Sequence, residues 1–135
     1  MAYQIVLIII AALLQGTFIL EVWGVKPNLV LALLIVLIFS VRDWLAYSLL
    51  VIVGVLLLKS FPGVDWRALA IIPLALGSYF IKDWLPWRPY FSNIVLIAIA
   101  TAIFSLPNFF PGEIIYNLIL GTIIYFLLIH EKTRY

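Results

Sequence analysis

The charged residues of this chain lie between long apolar runs, and none is at the centre of a run. The eight Lys and Arg residues and the six Asp and Glu residues leave six charge-free stretches between them. A charge near the bilayer centre costs about 2.5–3.5 kcal/mol on insertion scales, so a chain that crosses repeatedly keeps its charges at the two surfaces. The pattern predicts six transmembrane helices, at approximately residues 2–22, 28–41, 44–58, 67–82, 90–106 and 113–130.

The composition also indicates a membrane protein. The chain is 67% apolar and 10% charged, whereas soluble domains are about 45–50% apolar and about 25% charged. A soluble core of 135 residues cannot use that much apolar surface, so the excess is expected to face lipid. Residues 29–38 do not alternate polar with apolar, which argues against a transmembrane barrel. We therefore predict an all-α integral membrane protein, with residues 1–135 as a single transmembrane domain.

Some of the predicted spans are short. A bilayer core of about 30 Å needs about 20 helical residues, and the stretches 28–41, 44–58 and 67–82 fall below that length. Flanking Lys and Arg side chains that snorkel to the surface would let short helices span. Alternatively, one short pair is re-entrant. Pro73 lies inside the fourth span and predicts a kink there, with a freed carbonyl near Leu69.

The distribution of basic residues predicts the orientation. With the N-terminus inside, the cytoplasmic joints hold more bases than the outer joints, so both termini are expected in the cytoplasm. The cytoplasmic set is Arg42, Lys82, Arg88, Lys132 and Arg134, and the outer set is Lys26, Lys59 and Arg67. The N-terminal segment has no basic region and no cleavage site, so we expect a retained first span.

A short sequence repeat occurs at two of the predicted cytoplasmic joints. The sequence Val-Arg-Asp-Trp-Leu at 41–45 returns as Ile-Lys-Asp-Trp-Leu at 81–85. We interpret the base as a surface marker, the Asp as a cap of the next helix and the Trp as an interfacial residue. A repeated docking surface is the alternative interpretation.

Catalytic patterns are lacking in the sequence. It has no phosphate-binding Gly-rich loop, no HExxH, no cysteine, and His130 as its single histidine. No ionisable residue lies deep in a predicted span, although a proton- or ion-coupled transporter usually has one. The net charge of +2 gives no argument for nucleic acid. We therefore predict a protein that is not an enzyme and has no metal or other cofactor.

The polar residues within the spans are neutral, and we expect them to hydrogen-bond between helices. A pocket for a small neutral ligand is the alternative, with Asn117 and Gln15 as its best candidates. The full set is Gln15, Thr17, Ser48, Ser78, Thr101, Ser105, Asn117 and Thr122.

Two pairs of small residues have the spacing that lets helix backbones approach closely. Ala12 and Gly16 lie in the first span, and Ala98 and Ala102 lie in the fifth. Packing within the chain is the default interpretation. A lateral groove for another protein's transmembrane helix is the alternative.

The first half of the chain resembles the MreD family of rod shape-determining membrane proteins. An apolar span is followed by Gly-Val-Lys-Pro-Asn-Leu at 24–29 and by a leucine-rich span that ends at Arg42. In that family a Lys-Pro-Asp/Asn-Leu step opens the second span and an Arg commonly closes it. The resemblance covers approximately residues 10–58. The chain departs from the family at Asp43, where a Gly is usual, and at 54–59, which lacks the usual acid.

The resemblance implies a scaffold in the bacterial inner membrane with a fold similar to the six-helix substrate-binding subunits of energy-coupling-factor transporters. MreD-like proteins work with MreC, a bitopic protein, and link the MreB filament to a RodA-type glycosyltransferase and a class B penicillin-binding protein. The alternative function is a substrate-binding subunit of a vitamin-type transporter, with a pocket near its outer face.

These expectations assign partner contacts to three small groups of residues. Close helix contact is expected at Ala12 and Gly16, shaping of the outer joint at Lys26, Pro27 and Asn28, and contact with a cytoplasmic partner or anionic membrane lipid at Arg42 and Asp43.

Overall fold

The computed structural model describes residues 1–16, 21–22, 24–25, 27–60, 66–106 and 111–130. Within these ranges the protein is helical, and the prediction of six helices is confirmed. The α-helices are α1 Ala2–Gly16, α2 Leu29–Leu37, α3 Trp44–Lys59, α4 Ile71–Ile81, α5 Pro89–Phe104 and α6 Pro111–Tyr125. Short 3-10 turns at Trp66–Ala70 and Lys82–Trp84 flank α4, and a π turn at Phe126–His130 continues α6.

Helix length separates α6 from the others. Among the described residues, only Pro111–Ile129 is both long enough and apolar enough to cross a bilayer. The helices α1, α3 and α5 are apolar but shorter.

The second helix is shorter than predicted. The apolar run suggested residues 28–41, but α2 has nine residues, Leu29–Leu37, and at 1.5 Å per residue it is about 14 Å long. A turn follows, in which Phe39 N–H donates to Val36 O and Ser40 N–H donates to Leu37 O. An extended segment then leads to α3.

Helix α2 forms the axis of the bundle. All nine of its residues are buried, and it packs against α1, α3, α4, α5 and α6. A helix that is apolar all round is suited to such a position, because it has no polar face that needs water. The leucine-rich run therefore forms the core of the chain.

The prolines mark helix starts. Pro89 and Pro111 are the first residues of α5 and α6, as expected for prolines at joints. Pro73 is the third residue of α4, after the 3-10 turn Trp66–Ala70. It therefore lies in the first turn, where a helical N–H has no partner within the helix. The predicted kink within a continuous fourth span is replaced by a change from 3-10 to α geometry.

Helices α5 and α6 approach closely at one glycine. A Cβ atom added to Gly121 of α6 would overlap Cδ1 of Ile97 on α5. One turn earlier in α6, Asn117 is hydrogen-bonded to Thr101 of α5. The glycine thus lets α6 come near enough for this polar contact to form.

Candidate functional site

The Pro27-Asn28 step opens α2, as the sequence predicted. Both residues are buried. Asn28 is the N-cap of α2, since its Oδ1 accepts from Leu31 N–H at 3.3 Å. We call this part of the bundle the Asn28 end. Lys26, the other residue of the predicted step, lies outside the described residues.

Asn117 joins three helices at the Asn28 end. It is fully buried on α6. Its Oδ1 accepts from the backbone N–H of Asn28 at 2.9 Å, and its Nδ2 donates to Thr101 Oγ1 at 3.0 Å. A single amide side chain thus connects the start of α2 to α5 and α6.

Gln15 connects a fourth helix, α1, to the Asn28 end. Its Oε1 accepts from Val30 N–H at 2.9 Å. The N–H groups in the first turn of any helix lack partners within the helix, and in a buried site they must find side chains.

The prediction that the polar residues of the spans hydrogen-bond between helices is confirmed for Gln15, Thr101 and Asn117. It is wrong for Ser48, Ser78 and Ser105, whose hydroxyl groups donate to carbonyl groups of their own helices. These polar groups bind the protein's own backbone and one another, and do not converge on an open pocket.

A lysine and two tyrosines bind the other end of α2. Leu34 O accepts from Tyr47 Oη at 3.0 Å, and Ile38 O accepts from Lys82 Nζ at 3.1 Å. Further along, Arg42 O accepts from Tyr79 Oη at 2.5 Å. We call this part of the bundle the Arg42 end. Side chains of α3, of α4 and of the 3-10 turn that follows α4 thus satisfy carbonyl groups at the end of α2 and just beyond it.

Lys82 makes a contact that its sequence did not indicate. Its side chain is only partly exposed and reaches back 44 residues to Ile38. Its ammonium lies 4.2 Å from the centre of the Tyr79 ring, which is stacked on Tyr47 with 5.0 Å between centroids. A cation near a helix C-terminus interacts favourably with the helix dipole, and a cation over an aromatic ring adds to this.

The two copies of the short sequence repeat, at 41–45 and 81–85, differ in structure. Asp43 caps α3, as predicted, because its side chain accepts from Leu45 N–H at 3.2 Å. Arg42 and Asp43 are both exposed, so they remain accessible to a partner or a lipid headgroup. In the second copy Lys82 contacts α2, and Asp83 lies in a 3-10 turn.

Of the two small residues of α1, Ala12 packs within the bundle. Ala12 is only 1% exposed and belongs to the core of the bundle. Gly16, the last residue of α1, is partly buried. Ala12 therefore does not face a partner in this arrangement.

Tyr47, Tyr79 and Lys82 were absent from the predicted site. One signal was available, because a tyrosine in an apolar run needs a hydrogen-bond partner once its ring is buried. The identity of that partner depends on tertiary structure, and the sequence did not indicate it.

Comparison with known proteins gives no relative. No protein-family model, curated protein or solved structure matches the chain. Within the described ranges, no three His, Asp or Glu side chains come together as a group that could bind a metal.

Proposed function

We propose that this chain is a non-enzymatic membrane scaffold of the bacterial elongation machinery, which binds an MreC-like bitopic protein and helps to organise lateral peptidoglycan synthesis. One observation carries the proposal. The buried polar groups of Gln15, Asn117 and Thr101 are engaged within the chain, while the outward faces of the helices are apolar. A protein built in this way has apolar helix surfaces to offer to others.

The exposed surface supports a position in the membrane. Large aliphatic side chains on different helices are about half exposed or more, among them Leu13, Leu56, Ile99 and Ile119. Soluble monomers rarely expose extended apolar surface of this kind. Trp84 at the Arg42 end is 86% exposed, which suits a residue at the level of the lipid headgroups.

The orientation and the membrane are part of the proposal. We assign the Arg42 end to the cytoplasmic side of the bacterial inner membrane, with both termini there. Arg42 and Arg88 are exposed at or near this end, and basic residues are more common on the cytoplasmic side. Arg42 would contact anionic lipid or a cytoplasmic partner.

The family resemblance gains a physical basis from the Asn28 end. Its Pro27-Asn28-Leu29 step caps and starts the buried axis of the bundle. This role of the Pro27-Asn28-Leu29 step supports the likeness to MreD. The likeness in turn implies that the chain works together with a RodA-type glycosyltransferase and a class B penicillin-binding protein. A vitamin-binding transporter subunit is the weaker candidate, because Asn117 and Gln15, the two amides expected to recognise a ligand, are bonded internally.

The test is isolation of the tagged chain from its native membranes in mild detergent, with an untagged strain as control. We expect an MreC-like coiled-coil protein in the eluate of the tagged strain alone. Recovery of ATPase and coupling subunits, or of a bound vitamin, would overturn the scaffold function in favour of transport.

A further inference from the structure

The outer face of α3 is apolar from one end of the helix to the other. Four large side chains on this face are about half exposed or more, and they follow the spacing of one side of a helix: Leu45, Leu49, Ile52 and Leu56. The opposite side of α3 is buried in the bundle. In the membrane position proposed above, this outer face is therefore the part of α3 that contacts lipid.

Charged residues bound the outer face of α3 at both ends. Arg42 and Asp43 are exposed immediately before the helix, and Lys59, its last residue, is also exposed. At the rise of an α-helix, Asp43 and Lys59 are about 24 Å apart along the axis. A tilted helix covers less, so this length is an upper limit. It is shorter than the hydrocarbon core of a typical bilayer, which is about 30 Å thick.

Helix α6 gives nearly the same length on another side of the bundle. It packs on α2 and α5, whereas α3 packs on α1, α2 and α4. Its ionisable residues are Glu113 in the first turn and His130 at the end of the π turn, and they are at most about 25 Å apart at the same rise. Two helices on different sides of the axis thus define one apolar belt about 24–25 Å thick.

Snorkelling of Lys59 does not remove the mismatch with the bilayer, because it moves a side chain and leaves the backbone in place. The last carbonyl groups of a helix have no partners within it, and a backbone group in lipid needs one. Ser60, which ends α3, is exposed, so this backbone needs water or headgroups. At the other end, Asp43 is short and accepts from Leu45 N–H at 3.2 Å, which keeps its carboxylate at the helix start.

We propose that this chain thins the bilayer around it, and that the lipids that fit its apolar belt are phospholipids with short acyl chains. The inference rests on the membrane position proposed above. Thinning brings the headgroups to the ends of a helix that is shorter than the hydrocarbon core. It also lets α3, which is apolar but short, cross the membrane. The chain is therefore expected to collect in thin regions of membrane.

Nitroxide labels on α3 measure the local thickness of the bilayer. The chain has no cysteine of its own, so single cysteines can carry the label at Leu45, Ile52 and Leu56, which are 56%, 46% and 64% exposed. The purified chain is reconstituted in phosphatidylcholine vesicles with hydrocarbon cores of about 24, 30 and 36 Å, which include the typical thickness. Collisions of each label with oxygen and with a polar nickel complex give its depth. Ile52, near the middle of α3, is the control and is expected to be the deepest.

The sum of the depths at Leu45 and Leu56 does not depend on how high the chain lies in the membrane. The two residues are about 16 Å apart along the helix, so a core thinned to about 24 Å leaves a sum of about 8 Å. We expect this sum in all three bilayers. A sum that increases by about 6 Å from each bilayer to the next would overturn the proposal, because the lipid would then keep its own thickness. An Ile52 label no deeper than the other two would also overturn it, because α3 would then lie along the surface.

Lys59→Met separates thinning from snorkelling. We expect the variant to keep the sum of depths of the parent chain, because the backbone holds the end of α3 at the surface. A larger sum in the variant would show that the ammonium of Lys59 sets this position, and would overturn the proposal in favour of snorkelling.

Stability gives a second measurement that needs no label. The ratio of folded to unfolded chain is expected to be about tenfold higher in the thinnest bilayer than in the bilayer of typical thickness, because a modest cost for each Å of mismatch adds up over the difference. A ratio that is highest at the typical thickness would contradict the proposed belt.

Failure of this inference can be told apart from failure of the proposed function. If a carbonate wash removes the chain from the vesicles, the membrane position and this inference are both overturned. If the label depths show a thin belt but the MreC-like protein is not recovered from native membranes, the scaffold function alone is overturned.

Discussion

The two ends of α2 are held by different chemistry. At the Asn28 end, neutral amides bind the first turn of the helix. At the Arg42 end, tyrosine hydroxyls and one ammonium bind the carbonyl groups. Each group matches the polarity of its helix end, because a helix start offers donors and a helix end offers acceptors.

Position in the bundle accounts for the choice between a neutral and a charged partner. Asn117 is fully buried, where an ionised group would lose its water at high cost. Lys82 is partly exposed, so its long side chain can bind a carbonyl while keeping some contact with solvent or headgroups. A buried helix much shorter than a bilayer is thus held by side chains at both ends.

The largest effect is expected from Asn117→Leu at the Asn28 end. The change leaves the buried N–H of Asn28 and the hydroxyl of Thr101 without their partner. We expect the free energy of unfolding to fall by about 2–3 kcal/mol, since each unsatisfied buried group costs about 1–3 kcal/mol. Reversible denaturation in detergent micelles measures it.

Asn93→Leu is the matched control for this prediction. Asn93 is also fully buried, but neither atom of its amide finds a hydrogen-bond partner among the described residues. Removing it is expected to leave stability unchanged or to raise it by up to about 1 kcal/mol. Equal losses in the two variants would show that the bonds of Asn117 are not what matters.

A smaller effect is expected from Lys82→Met at the Arg42 end. The ammonium donates to Ile38 O and lies over the Tyr79 ring, and hydrogen bonds to charged groups contribute about 1.5–3 kcal/mol before solvent exposure is considered. We expect a loss of about 1–2 kcal/mol in the same denaturation experiment. Lys59→Met changes an exposed lysine and is the control. It is expected to change the free energy of unfolding by less than about 0.5 kcal/mol. A loss as large as that of Lys82→Met would show that the contacts of Lys82 have no special role.

Tyr47→Phe removes one neutral hydroxyl group at the Arg42 end. It keeps the ring stacked on Tyr79 and removes the donor to Leu34 O at 3.0 Å and to Ala75 O at 3.5 Å. The expected loss is about 1 kcal/mol, measured against Tyr3→Phe, where the ring is 58% exposed. No loss would mean that the Leu34 carbonyl is satisfied within the helix.

The smallest effect is expected from Asp43→Ala, which removes an exposed cap. Water can replace this side chain at the start of α3, so the loss should be about 0.5 kcal/mol, near the lower limit for N-caps. A loss as large as that of Asn117→Leu would show that burial does not separate the caps of α2 and α3.

The parts of the fold that depend on neighbouring residues could be predicted from local sequence signals. The spacing of charges predicted six helices, and the helix starts at Pro89 and Pro111 follow from proline chemistry. The cap at Asp43 was also predicted, because a capping residue bonds within its own turn, whereas for Asn28 only its place at the start of the second helix was expected.

The end of α2 could not be predicted, because residues 29–41 contain no charge, Gly or Pro that would stop a helix. It stops at Leu37 where Tyr47 and Lys82, 13 and 44 residues from their acceptors, supply donors for its carbonyl groups. Contacts at such distances are set by tertiary packing. The pairing of Asn117 with Asn28, 89 residues apart, belongs to the same class.

The central claim is that the buried polar side chains hold the bundle together, while its exposed apolar helix surfaces are left for the proposed partner. The most direct test measures two quantities, the free energy of unfolding and the recovery of that partner, for Asn117→Leu. We predict that Asn117→Leu lowers the free energy of unfolding and, under conditions where the variant is folded, keeps the partner. Loss of the partner from folded Asn117→Leu would contradict the account.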